Sequence, residues 1–104
     1  MEGQGHASIS PEVIARYASD AALEVEGVHR LVEGHLPRHR GVRIATADDG
    51  ALTLELHVAL EWGAAFADVG RAVQEGVAGY LGRMADLRLP RVDVVVDEIG
   101  PVRA

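Results

Sequence analysis

The sequence predicts an α+β domain in two layers, a small mixed β-sheet with two helices packed on one face. The expected element order is β-α-β-β-β-α-β, with a short first strand. Three observations predict it. Apolar residues recur at helical spacing in two stretches: Ile14, Tyr17, Ala18, Ala21 and Val25, then Phe66, Val69, Val73, Val77, Tyr80 and Met84. Leu52, Leu54, Leu56, Val58 and Leu60 alternate with Thr53, Glu55, His57 and Ala59, and Val92, Val94 and Val96 alternate with Asp93, Val95 and Asp97. The chain has 104 residues, which suits one domain, 1–104, with a single core.

Residues 1–7 are polar and glycine-rich and are expected to fray. Ile9 is expected to begin the short first strand. Ser10-Pro11-Glu12 then starts a helix. Serine accepts a hydrogen bond from a free backbone N–H, proline suits the first helical position, and glutamate complements the positive end of the dipole. The helix is expected to run to about Glu26, where Gly27 can end it by adopting positive φ. Val28–Glu33 reads as a strand, and the Gly and Pro of Gly34–Gly41 read as a loop.

Val42–Ala47 and Ala51–Trp62 read as a hairpin around Asp48-Asp49-Gly50. A two-residue Asp49-Gly50 turn would set Ile44 against Glu55 and mix the faces. A three-residue loop with Gly50 left-handed sets Ile44 opposite Leu54, Val42 opposite Leu56 and Arg43 opposite Glu55. The second register is expected, because one slipped residue would turn a buried face to water. Phe66 to about Met84 forms the second helix and Arg91–Ile99 the last strand. A strand–helix–strand unit of this kind makes a crossover if its strands are parallel.

Composition narrows the function. The net charge is -6, which opposes delocalised nucleic-acid binding. Cysteine is absent, so no disulfide, thiolate metal site or cysteine nucleophile exists. All ten basic residues are Arg, which a GC-rich coding bias would explain. The N-terminal MEGQGHASIS lacks a signal segment, and no run approaches the roughly 20 apolar residues of a membrane span. The expected location is cytoplasmic, with membrane contact peripheral at the inner face or made through a partner.

Several residues carry possible chemistry. Glu55, His57 and Glu61 share one face of a strand, but Glu61 lies roughly 13 Å from His57 at strand rise, too far for a shared metal. A solvated face with an Arg43–Glu55 ion pair is the expected arrangement. His35 and His39 have helical ligand spacing, but Pro37 between them opposes a helix. Arg30, Arg38, Arg40 and Arg43, with three histidines, concentrate positive charge. They could receive phosphate, an anionic lipid headgroup or an acidic partner, but a solvated loop balancing local carboxylates is the plainer reading. Ala72, Gly76 and Gly79 form a smooth strip beside the second helix's apolar stripe. It admits close approach by the sheet or by another chain, unless coding bias alone accounts for it. No nucleophile motif or phosphate loop is present. Catalytic, cofactor and metal sites are therefore all expected to be absent.

Three segments carry a family resemblance: ISPEVIARYASDAALEVEGV (Ile9–Val28), GVRIATADDGALTLELHVALEWG (Gly41–Gly63) and FADVGRAVQEGVAGYLGRMADLRLPRVDVVVD (Phe66–Asp97). Together they resemble the alkaline shock protein family, also grouped with Gls-type general stress proteins. The first segment is the most specific. Trp62-Gly63 stands where Tyr-Gly is common in the family. The resemblance implies a non-enzymatic bacterial protein of envelope stress and homeostasis. It also implies a cytoplasmic location, in some members at the membrane through an anchored protein partner. Some members form homo-oligomeric assemblies, and some have been linked to fatty-acid metabolism. No small-molecule substrate is expected. The other readings are a regulatory or nucleic-acid-binding module using the Arg-rich loop 30–43 and, more remotely, an enzyme with an unrecognised site.

Overall fold

Ser10 opens the first helix through its side chain, which accepts the Val13 N–H at 3.2 Å. The computed structural model describes residues 9–34, 40–89 and 91–100. In chain order its elements are α1 (Pro11–Leu23), β1 (Val28–Leu31), β2 (Val42–Thr46), β3 (Leu52–Leu60), α2 (Phe66–Ala85) and β4 (Arg91–Ile99). The strand expected at Ile9 is not formed there. Ile9 lies outside regular structure and packs, half-buried, against the core. The rest of that expected strand, like the fraying expected of residues 1–7, falls outside the described residues.

β3 is the spine of a mixed sheet. Along one edge β2 pairs antiparallel with Leu52–Leu56 and β1 pairs antiparallel with Val58–Leu60, so two short strands share that edge end to end. β4 runs parallel along the other edge. The hairpin takes the three-residue loop: Ile44 faces Leu54, Val42 faces Leu56, Arg43 faces Glu55, and Gly50 has φ 86°. The Ala47 N–H bonds the Ala51 carbonyl and the Gly50 N–H bonds the Ala47 carbonyl, both at 2.8 Å, and Asp49 Oδ1 accepts the Ala51 N–H at 3.0 Å.

The leucine face of β3 is the floor of the core. Leu54, Leu56, Val58 and Leu60 are buried beneath Ile14, Ala15, Ala18 and Ala22 of α1 and Val69, Val73, Val77 and Leu81 of α2. Burying a Leu or Val side chain contributes about 1.5–3 kcal/mol, so these rows drive the layering. Tyr17 and Tyr80 join the helices edge to face, with ring centroids 5.8 Å apart.

One helix boundary and one helix face differ from expectation. α1 stops at Leu23, three residues short of Glu26, because the Glu24 and Val25 N–H groups turn back to carbonyls at Ala21 and Ala22. The chain then reverses through Gly27, at φ 101°, where a Cβ would lie 2.7 Å from Val69 Cγ2. In α2, the buried row is Val69, Val73, Val77 and Leu81. Phe66 and Met84 are exposed instead. Phe66 belongs to the first helical turn, at the rim of the core, and Tyr80 turns to α1.

Candidate functional site

The sequence singles out the arginine loop, the small-residue strip of α2 and the solvated face of the central strand. The sheet face departs most from expectation. Strands β2, β3 and β4 put Arg43, Glu55 and Asp93 in one row, since Glu55 pairs with Arg43 on one side and Asp93 on the other. Arg43 approaches Glu55 at 3.9 Å, and Arg91 bonds Asp93 at 3.1 Å.

His57 is not the solvated group expected. It is 8% exposed and sits between two carboxylates. Its Nε2 lies 2.6 Å from Glu55 Oε2 and its Nδ1 2.9 Å from Asp97 Oδ2. Glu55 supplies the nearer group because residues two apart on a strand share a face. Asp97 arrives from β4: Val95 is the register partner of His57, and a bulge between the Val58 and Ala59 pairings falls at Asp97. A neutral imidazole has one N–H, so both contacts are hydrogen bonds together only with a doubly protonated ring or a proton held by one carboxyl.

This row is closed on itself. The two carboxylates lie on opposite nitrogens of the ring, so they cannot converge with it on one ion. Among the described residues no group of three or more His, Asp or Glu side chains is placed to hold a metal. The backbone reinforces the position: Val32 N–H bonds the His57 carbonyl at 2.8 Å, and His57 N–H bonds the Gly41 carbonyl at 2.9 Å. The chain therefore leaves β1 and re-enters β2 anchored on His57. Gly41 allows it, with φ 80° and a Cβ that would meet Leu31 Cβ at 2.9 Å.

The arginines do not form one described patch. Arg30 is ion-paired with Glu98 across the buried Ala59. Arg43 faces Glu55. Arg40 is exposed at φ 56° on the return of the loop. Arg38, with His35 and His39, lies outside the described residues.

Gly76 and Gly79 of the α2 strip face α1 and Arg83, not the sheet, among the described residues. Gly76 lines a groove of about 400 Å³ between the helices, with Asp20, Ala21, Glu24, Val25, Tyr80 and Arg83. Among the described residues a Cβ at Gly76 would touch only Val25, at 3.8 Å, and one at Gly79 only Arg83 Nη1, at 3.4 Å. Ala72 is exposed on the same helix. Close packing among the described residues therefore does not require Gly76 or Gly79.

A fourth surface was missed by sequence reasoning. At the β3–α2 junction Trp62 is 65% exposed, Phe66 51% and Ile99 40%, and with Gly63 and Ala64 they line one shallow hollow. The signal was present in Trp62-Gly63 directly after a strand, but Phe66 fitted the helical stripe and was assigned to the core. No helix among the described residues is long and apolar enough to cross a membrane.

The model of the alkaline shock protein 23 family, described by a cell envelope-related function, matches residues 1–101. An uncharacterised Bacillus subtilis protein, YqhY, is 31% identical over 100 residues, covering 86% of this chain and 73% of the relative. An uncharacterised Streptococcus pyogenes protein, Spy1535, is 28% identical over 102 residues, covering 91% of this chain and 79% of the relative. No solved structure gives a significant match.

Proposed function

Because the chain belongs to the alkaline shock protein 23 family, a family with a cell envelope-related function, we propose that it is a non-enzymatic module of the envelope stress response. In this reading it works by protein–protein contact at the cytoplasmic side of the membrane. Its partner is another protein, a membrane-anchored one included, or a second copy of the chain. One contrast supports the reading: polar groups of the sheet face are matched to one another, whereas large apolar groups at Trp62, Phe66 and Ile99 stand in water. His57, the side chain best suited to proton transfer, has both nitrogens engaged by carboxylates. That arrangement suits a structural tie better than a general base, which must reach a substrate proton.

The nucleic-acid alternative would draw on Arg30, Arg38, Arg40 and Arg43. Phosphate binding draws on cations that neutralise phosphates, and Arg30 and Arg43 already face Glu98 and Glu55. The contact reading is therefore preferred.

The experiment is a deletion strain challenged with wall-directed antibiotics and an alkaline shift, with spheroplasts of the complemented strain treated with external protease. The expected result is heightened sensitivity restored by the wild-type gene, with the chain protected until the membrane is broken. A deletion without envelope phenotype, or a chain digested from outside, would sink the proposal.

A further inference from the structure

The hollow at the β3–α2 junction has more than apolar character. Trp62 lines two neighbouring depressions, together with Gly63 and Ala64. Phe66 and Ile99 line one of them, and Glu26 and Glu61 the other. Neither of those carboxylates enters an ion pair among the described residues, whereas Asp68 nearby faces Arg71 at 3.8 Å and Glu98 faces Arg30. An indole face is the strongest aromatic site for a cation. Asp68, in the first turn of α2, offsets the positive end of the helix dipole that would otherwise repel one. The chain as a whole carries a net charge of -6.

We propose that this junction docks a basic, apolar peptide segment of a partner protein. An aliphatic side chain of the segment fills the Phe66–Ile99 hollow. An adjacent Arg or Lys lies over Trp62 and against Glu26 and Glu61. An acidic segment would meet two unneutralised carboxylates, and a purely apolar one would leave them unmatched, so the charge pattern selects the occupant. The proposal deepens the protein-contact reading above and rests on it.

Trp62 is the only tryptophan of the chain, so its emission reports directly on the site. The full chain is titrated with a pool of 12-residue peptides alternating Leu or Ile with Arg, and with a second pool carrying Glu in place of Arg. Far-UV circular dichroism confirms the fold of each variant. The basic pool is expected to give a saturable blue shift, at least ten-fold tighter than the acidic pool. The double variant Glu26→Gln, Glu61→Gln should weaken it about ten-fold with its melting temperature unchanged, and Phe66→Ala should weaken it while leaving Trp62 in place. The proposal is overturned by an absent shift with the basic pool or an equal response to both pools. It is equally overturned by a shift that appears without peptide as protein concentration rises and the mass doubles, since a second copy then owns the surface. A negative result with an intact envelope phenotype would remove this site and leave the contact function standing.

Discussion

Replacing His57 with Leu should destabilise the fold without abolishing it. The imidazole holds Glu55 at 2.6 Å and Asp97 at 2.9 Å, and hydrogen bonds to charged groups contribute about 1.5–3 kcal/mol each. Two such bonds set an upper bound near 6 kcal/mol. The carboxylates do not lose everything, because the side chains of Glu55 and Asp97 keep 32% and 30% of their exposure and regain water when the ring is gone. Leucine also restores some apolar burial at a site only 8% exposed. We expect a net loss of about 2 kcal/mol for His57→Leu and about 1 kcal/mol for His57→Gln, whose amide can donate to one carboxylate but not match both. Urea unfolding followed by far-UV circular dichroism measures this directly. For a domain of this size the same loss lowers the melting temperature by about 10 °C. A His57→Leu protein as stable as the wild type would refute the claim that the ring ties β3 to β4.

Other substitutions test the glycines, the helix cap and the surface ion pair. Gly79→Ala should raise stability by about 0.5–1 kcal/mol in a thermal melt, because the new methyl meets only the flexible end of Arg83, at 3.4 Å. Gly27→Ala should lower it by about 2 kcal/mol or more, since φ is 101° and Val69 Cγ2 lies 2.7 Å from the added atom. Ala65→Ser should add about 1 kcal/mol, because Ala65 caps α2 with φ -81° and ψ 103° but no side-chain hydrogen bond. Arg30→Ala should change stability by less than about 1 kcal/mol, as both it and Glu98 are roughly half exposed.

The hairpin was legible because a period-two strand tolerates no slip: Val42, Ile44, Leu54 and Leu56 could share a buried face in only one of the two registers weighed. The Ser10-Pro11-Glu12 helix start was legible for an equally local reason, a cap chemistry confined to three residues. The His57 row was not. It depends on the parallel register of β4, a strand separated from β3 by a whole helix, and on a bulge that falls at Asp97. Nothing in the alternation of Val92, Val94 and Val96 sets which rung of β3 each one meets. The α2 stripe was partly legible. Val69, Val73 and Val77 were identified, but the continuation could follow a step of three to Tyr80 or of four to Leu81, and only the position of the sheet decides for Leu81. Phe66 fitted the same periodicity, which says nothing of whether the core extends far enough to cover it.

We propose that the protein acts through its surface and that its buried histidine is structural. Complementation of the deletion strain with two folded variants tests this most directly, with envelope-stress survival as the readout. The Trp62→Ala, Phe66→Ala double variant should fail to rescue although it melts at the wild-type temperature, whereas His57→Gln should rescue at any temperature where it remains folded. A folded His57→Gln chain that fails, beside a Trp62→Ala, Phe66→Ala chain that succeeds, would contradict the claim and move the function to the sheet face.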